Sequence, residues 1–303
     1  MSLLRDTLAF DTMREAWEEV AENQGGAGTD DETIRVWNRN WEERIRDLSA
    51  RVAQNRYKPG RLRKVLIPKR DPSEYRILMI PTVTDRVIQK AASIVITKQV
   101  NSRFFPFSFG YRPGLGVKQA VEHILVLREN GCRLCFSGDI DDFFNNVDHE
   151  LLLRFIDADL SDNSLVPLVS LWLEKYAQVT KRSCGIPQGS PVSPILANIY
   201  LHRLDYFIHQ SGLQMVRYAD DFVILFKDER SASRICTLVT TGLSNLLLRL
   251  AKEKSFTSSF DAGFTFLGVR FQGDEYSYNW KDKRISSKGT QADWLFSDFG
   301  PDY

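Results

Sequence analysis

Net charge is almost wholly lacking. Forty Lys+Arg stand against 39 Asp+Glu in 303 residues, a formal charge of +1, so any grip on a polyanion must come from local segregation of charge. Cysteine is also scarce, and four in a chain of this length do not make a disulfide framework. Cys132 and Cys135 have the spacing of half a zinc site. Cys184 and Cys236 stand alone, however, and His123, His149, His202 and His209 do not cluster around them, which predicts buried reduced thiols. Only 18 Gly and 11 Pro are present, and no internal repeat or low-complexity tract occurs. Collagen, rod-like coiled coil and global disorder are thereby excluded. No run of about 18 apolar residues is found. Arg5, Asp6 and Asp11 fall where a signal peptide would need its apolar stretch. The expectation is a cytoplasmic chain with no membrane partner, built as one large or two smaller domains around a sizeable core.

What is present is uneven. Between Arg56 and Arg103 lie twelve bases against Asp71, Glu74 and Asp85, whereas between Asp139 and Asp162 eight acids face only Arg154. A basic block followed by an acidic one suits a protein that holds phosphates with one region and divalent cations with another. Two solvated faces that never meet would give the same counts.

Hydrophobic spacing places the elements. Asp30 or Asp31 is expected to cap a helix through about Asn55, with Ile34, Trp37, Trp41, Ile45, Leu48 and Val52 on one face. Residues 62–68 and 75–80 read as strands joined at Arg70-Asp71-Pro72-Ser73. Helices are expected over 84–100, up to Asn130, and over 149–160, 164–176, 194–210 and 231–251. Further strands are expected over 134–137, 215–218, 222–226 and 264–271. Strands and helices mixed without strict alternation predict an α+β fold.

The segment Met215-Val-Arg-Tyr-Ala-Asp-Asp-Phe-Val-Ile-Leu-Phe226 would form a hairpin with two carboxylates, Asp220 and Asp221, at its tip. Alone, an Asp-Asp tip is ordinarily a solvated turn. A second apolar strand, Arg133-Leu-Cys-Phe-Ser-Gly-Asp139, also ends in a carboxylate. If the two are neighbours in one sheet, Asp139, Asp220 and Asp221 converge, and they cannot all stay ionised without cations. Hard oxygen ligands with positions left for water and phosphate favour Mg2+. Two such ions about 4 Å apart serve in-line phosphoryl displacement, so nucleotidyl transfer is the reaction class on offer.

Further blocks stand around this pair: Phe109-Gly-Tyr-Arg-Pro-Gly114, Asp139-Ile-Asp-Asp-Phe-Phe-Asn-Asn-Val-Asp-His149, Gly185-Ile-Pro-Gln-Gly-Ser-Pro-Val-Ser-Pro194 and Tyr218-Ala-Asp-Asp221. With Ile67-Pro-Lys69, Arg76 and Ile80-Pro-Thr-Val-Thr-Asp-Arg-Val-Ile-Gln89 upstream, the chain resembles the reverse transcriptases of bacterial group II introns and their relatives, over roughly residues 16 to 270. The resemblance implies a right-hand polymerase with an N-terminal helical extension (1–58), fingers (59–132), palm (133–274) and a short tail (275–303) in place of a thumb. It makes Asp139, Asp220 and Asp221, with the backbone carbonyl of Ile140, the ligands of two Mg2+ ions. Lys69 and Arg76 would grip the triphosphate, with charge-assisted bonds suited to that task. Arg112 would touch nucleotide or template, and Gln188 would pack against the template and incoming nucleotide. Phe143 matches the ring beneath the incoming sugar, with Phe144 one position away. Lys254 matches a lysine that protonates the pyrophosphate leaving group, and Phe266-Leu267-Gly268 matches the primer grip.

The implied partners are an RNA template, a DNA or RNA primer and dNTPs, with a structured RNA or a second protein subunit replacing the thumb. A compact chain of this kind resembles standalone defence-associated enzymes that copy a dedicated noncoding RNA. CRISPR-associated and orphan intron-type enzymes are the alternative placement. Two readings from other classes remain: a metal-dependent nuclease, and an RNA-binding splicing cofactor or scaffold that needs no catalysis.

Overall fold

The computed structural model describes residues 2–68, 75–280 and 283–288. Lys69 and the expected turn at Arg70-Asp71-Pro72-Ser73 lie outside the described residues. Helices α1 (Leu3–Thr7), α2 (Phe10–Glu22), α3 (Ile34–Trp37) and α4 (Trp41–Ala53) lead into strands β1 (Arg63–Pro68) and β2 (Tyr75–Ile80). There follow α5 (Val83–Val100), α6 (Val117–Glu129), β3 (Leu134–Gly138), α7 (Phe143–Asn146), α8 (His149–Asp159), α9 (Val166–Thr180) and α10 (Ser193–Gln210). Strands β4 (Gln214–Tyr218) and β5 (Asp221–Phe226) precede α11 (Ser231–Ser244). The described chain ends with β6 (Phe256–Ser259), β7 (Phe264–Phe266), β8 (Val269–Gln272), β9 (Glu275–Trp280) and β10 (Lys283–Lys288). The architecture is α+β, with antiparallel sheets of two, four and four strands.

Two compact units interleave in sequence. One holds Met1–Ser102 with Phe144–Tyr200, the other Arg103–Phe143 with Leu201–Tyr303. Residues 144–200 thus group with the N-terminal segment and residues 103–143 with the C-terminal one.

The first unit is mainly helical. The helix expected from Asp30 or Asp31 to Asn55 is broken into α3, a tight turn at Asn38–Asn40, and α4. Its cap is Thr33, whose side chain accepts from the Val36 N–H. Asn40 leaves the helical region at φ −143° and its side chain accepts from Arg44 Nε (2.6 Å), so the second helix starts anew at Trp41. Trp37, Ile45, Leu48 and Val52 are buried as expected, with Trp37 packed on Trp17 at 4.5 Å between ring centroids. Trp172 Nε1 donates to Tyr57 Oη (3.1 Å), and Tyr57 Oη donates to Asp85 (2.6 Å), so buried polar groups tie α9 and α5 to the segment before β1. Burial pushes the Asp85 carboxyl up and the Tyr57 hydroxyl well up. The β1–β2 hairpin instead leaves Leu66, Ile67, Tyr75 and Ile77 exposed.

The second unit contains both four-stranded sheets, in the orders β4-β5-β3-β6 and β10-β9-β8-β7. Strand β5 is buried from Phe222 to Phe226, as a central strand covered on both faces must be. One core cluster joins Val121, Ile124 and Leu125 of α6 to Val223 and Leu225 of β5 and to Phe260, Phe264, Phe271 and Tyr276. Each such side chain contributes roughly 1.5–3 kcal/mol on burial. Cys132 and Cys135 lie in this core, and burial pushes the Cys135 thiol up to about 12. Cys236 is exposed and Cys184 half-buried, which corrects the expectation that all four would be inside; none is in a disulfide.

Four differences from the sequence reading concern this unit. Helix α11 stops at Ser244 rather than Ala251, after a run in which Thr240, Thr241 and Ser244 each bond the carbonyl four residues back and loosen the last turns. Strand β6 was not expected. The 264–271 segment is a hairpin, not one strand. Within the expected tail, Glu275–Trp280 and Lys283–Lys288 are the strands β9 and β10 of the second sheet. Among the described residues no helix is long and apolar enough to cross a membrane.

Candidate active site

Antiparallel registry decides where the acidic residues fall. Strand β3 pairs with β5 from Leu134↔Phe226 to Gly138↔Phe222, so one step further brings Asp139 abreast of Asp221. Strand β4 pairs with β5 up to Tyr218↔Asp221, which leaves Ala219 and Asp220 as a two-residue turn. All three carboxylates therefore sit at the same end of one sheet. Gly138 is required there: a Cβ would stand 2.2 Å from the Phe222 ring, within the pair that sets the register.

Past Gly138 the chain stays extended. Ala251 N–H donates to Asp139 O (2.9 Å) and Asp141 N–H donates to Arg249 O (2.9 Å), flanking an Ile140↔Leu250 bridge. Ile140, the bridge residue, thus follows directly on Asp139 at the end of β3. Residues 249–255 also carry Lys254, whose Nζ lies 3.3 Å from Asp139 Oδ2. Ser255 Oγ accepts from the Asp139 N–H (3.2 Å) and donates to Ala251 O (2.8 Å), fixing that loop against the end of β3.

The electrostatics follow from this convergence. The Asp221 carboxyl is pushed up to about 6, first by burial, then by the charges of Asp220 and Asp139, while Lys254 draws it down. Asp221 keeps solvent-exposed surface, so ions can reach it. Among the described residues no three carboxylate, imidazole or thiol groups already close on a metal point. The donor set nevertheless fits a hard cation. Every donor is an oxygen, the excess negative charge registers on Asp221, and an incomplete shell leaves positions for water and phosphate.

Other expected residues fall as follows. Phe143 begins α7 and is 2% exposed; Phe144 is half-buried. Arg112 is held within its own loop, donating to Phe105 O (2.9 Å) and Ser108 O (2.7 Å) and lying over the Phe104 ring. Burial, then the charge of Arg217, pulls its pKa below the ordinary value. Phe266, Leu267 and Gly268 form the β7–β8 turn, with φ of +50° at Leu267 and +76° at Gly268, the pattern of a type I′ hairpin. Leucine in that region is strained by roughly 1–3 kcal/mol.

Arg76 and Gln188 belong to the first unit. Arg76 is exposed and opposite Ile67 in the hairpin. Gln188 accepts from the Met79 N–H (2.8 Å) through its backbone carbonyl, so its loop is fastened to the end of β2. That loop is closed by Ser193 Oγ to Pro187 O (2.8 Å) and Ser190 Oγ to Gln89 Oε1 (2.9 Å). Gly189 holds φ of +104° and is needed for that conformation.

Three residues at the second unit's site were missed from sequence. Arg217 and Asp205 are both 0% exposed and form an ion pair, with Arg217 also bonding Ser108 Oγ (2.7 Å) and Ala219 O (2.9 Å). A visible signal existed for Arg217, the one charge within the apolar strand β4; Asp205 shares α10 with Arg203 and carried no such mark. Gly110 lets two backbones meet. A Cβ there would stand 2.4 Å from the Ala219 nitrogen.

A mixed-order antiparallel sheet with acidic residues at one end in one unit, and a basic hairpin in the other, are the marks of a right-hand nucleic-acid polymerase with fingers and palm. The chain belongs to the family described as reverse transcriptase (RNA-dependent DNA polymerase), which its residues 67–271 match. The group II intron-encoded protein LtrA of Lactococcus lactis subsp. cremoris is 32% identical over 222 residues, 71% of this chain and 36% of that protein. Protein YkfC of Escherichia coli (strain K12) is 28% identical over 268 residues, 74% of this chain and 70% of that protein. The chain thus spans about a third of the length of the Lactococcus relative. Apo telomerase from Candida tropicalis, truncated from its C-terminal domain, aligns with TM-score 0.51 at 13% identity over 78% of this chain and 58% of that one, a likeness of fold alone.

Proposed function

We propose that this chain is an RNA-directed DNA polymerase that makes cDNA from an RNA template by nucleotidyl transfer. The observation that carries the reading is the convergence of Asp139, Asp220 and Asp221 at one sheet end, with Asp221 raised by its two acidic neighbours. Asp139, Asp220, Asp221 and the Ile140 carbonyl would hold two Mg2+ ions. When bound, these supply charge stabilisation for the attacking and leaving oxygens of the displacement.

The remaining roles are assigned to side chains. The primer 3′-OH attacks the α-phosphorus of the dNTP, a new P–O bond forms, and the bond to the pyrophosphate breaks. Lys254, already at the carboxylate cluster, donates a proton to the departing pyrophosphate. Lys69 and Arg76 grip the triphosphate, and Arg112 and Gln188 shape the loops that meet nucleotide and template, Arg112 through the carbonyls it bonds. The Phe266–Gly268 turn supports the primer end. Phe143 is assigned the ring beneath the incoming sugar, where it excludes a 2′-OH.

For the biological setting we infer a bacterial antiphage defence enzyme that copies a dedicated noncoding RNA. This rests on the resemblance and on no described side chain. Sequencing the nucleic acid that copurifies tests it, and a random RNA population would reject it. For the chemistry, the test is primer extension with dNTPs on an RNA template. Asp220→Asn is expected to abolish cDNA while leaving RNA affinity within about twofold. Retained extension, or extension by neither protein, would refute the assignment. A nuclease would degrade the template instead.

A further inference from the structure

The turn that carries Asp220 is an unusual one. Between Tyr218 and Asp221, Ala219 has φ of +56° while Asp220 is not in the positive-φ region. Positive φ at the first central residue alone is the pattern of a type II′ turn, whose first position ordinarily needs glycine. Types II′ and I′ differ by a flip of the central peptide, here the one joining Ala219 to Asp220. After that flip Asp220 would itself take positive φ, a state aspartate tolerates better than most residues. Its carboxylate would then point elsewhere. The sequence Ala-Asp thus leaves the turn open to two orientations, only one of which aims Asp220 as observed.

What holds the observed one is buried. Arg217 Nη1 donates to the Ala219 carbonyl (2.9 Å), the oxygen of the peptide that would have to flip. The guanidinium is itself fixed by Asp205 of α10, through Nε to Oδ1 (2.6 Å) and Nη2 to Oδ2 (2.5 Å), and by Ser108 Oγ (2.7 Å). Ser108 in turn is fixed to β4: Phe109 N–H donates to Arg217 O (2.9 Å), and Arg217 N–H donates to Phe107 O (2.8 Å). From the same segment, the backbone of Gly110 presses against the Ala219 nitrogen.

Resting on the polymerase reading above, we propose that Arg217 and Asp205 are positioning residues that lock the Ala219–Asp220 peptide in one orientation and thereby aim Asp220 at the metal. A wholly buried ion pair is weak support for stability, since well-packed apolar residues of similar volume often replace one without loss. The pair's distinctive work is directional. A planar guanidinium meets a carboxylate with two parallel bonds and a turn carbonyl with a third, whereas lysine's three donors radiate from one nitrogen and cannot match that fork.

The test compares wild type, Arg217→Lys and the double variant Arg217→Met/Asp205→Leu as full chains. Mn2+ binding is read by electron paramagnetic resonance, primer–template affinity by anisotropy, extension rate by gel, and folding by thermal melting. The double variant is expected to melt close to wild type and bind primer–template equally. It should bind Mn2+ on the order of 10-fold more weakly and extend about 100-fold more slowly. Arg217→Lys should lose both in the same direction. Wild-type Mn2+ affinity and extension rate in a folded variant would overturn the proposal. So would failure of both variants to fold, which would make the pair a requirement of the fold instead of the turn. A wild type that binds Mn2+ yet extends no primer would refute the polymerase reading, leaving the Mn2+ comparison to judge the lock.

Discussion

Replacing Gly110 by alanine perturbs the acidic turn without touching any acidic residue. The added Cβ would lie 2.4 Å from the Ala219 nitrogen, 3.0 Å from the Tyr218 carbonyl carbon and 3.2 Å from the Ala219 Cα. All three are backbone atoms, so no flexible side chain can yield. Restoring ordinary contact near 3.4 Å requires the 107–110 segment or the Ala219–Asp220 turn to move by about 1 Å, a displacement that costs on the order of 100-fold in rate when it reaches a reacting geometry. Overpacking of this kind costs about 1–3 kcal/mol, or a few degrees of melting temperature for a chain of this size. The assay is primer extension on an RNA template at saturating primer–template, paired with thermal melting. Gly116→Ala is the control, because its Cβ would meet only Gln119 Oε1 at 3.6 Å. Gly110→Ala is expected to lose about 100-fold in extension rate while primer–template affinity holds and the control stays within about twofold. Wild-type extension by a folded Gly110→Ala protein would refute the argument that this glycine exists to let two backbones meet.

The raised Asp221 carboxyl has a signed consequence. Its folded pKa of about 6 lies above the unfolded value, so the stability it contributes is full below about pH 4 and lost as pH rises through 6. Metal-free Asp221→Asn should therefore melt higher than wild type at pH 7, with the gap closing by pH 4; a gap independent of pH would contradict the cluster. Phe143→Ala and Phe144→Ala separate the two rings: the one beneath the sugar raises ribonucleotide incorporation when removed, and unchanged discrimination in both removes the assignment from this pair. A thiol reagent under native conditions should modify Cys236 rapidly and leave Cys132 and Cys135 untouched. Rapid labelling of Cys135 would mean that the core around β3 opens far more readily than its packing implies.

Local chemistry carried much of this protein in plain sight. Apolar runs bounded by turn residues marked β3, β4 and β5, and helical periodicity marked α5, α6 and α8, because these segments bury a face whose pattern survives in one dimension. Aspartates at strand ends were visible for the same reason. Where the pattern was weak, the reading failed. Strand β6 has its first two residues exposed and the others half-buried, so no apolar alternation announced it; its pairing with β3 is what makes it a strand. Segment 264–271 reads as one apolar run in which Gly268 is the one local mark of a reversal; the leucine before it, at φ +50°, gives no such sign.

The sequence by itself determined the acidic residues, their strands and the family to which their spacing belongs. Tertiary structure alone decided their common end of the sheet, through the β3–β5 register, and the orientation of the turn between Tyr218 and Asp221. That orientation depends on Ser108, Asp205 and Gly110, which stand 109, 12 and roughly a hundred positions from the turn's own strand. A hydrogen bond or a backbone contact across such a separation leaves no periodic trace in the chain, because its strength depends on distance in space and not on distance along the polymer.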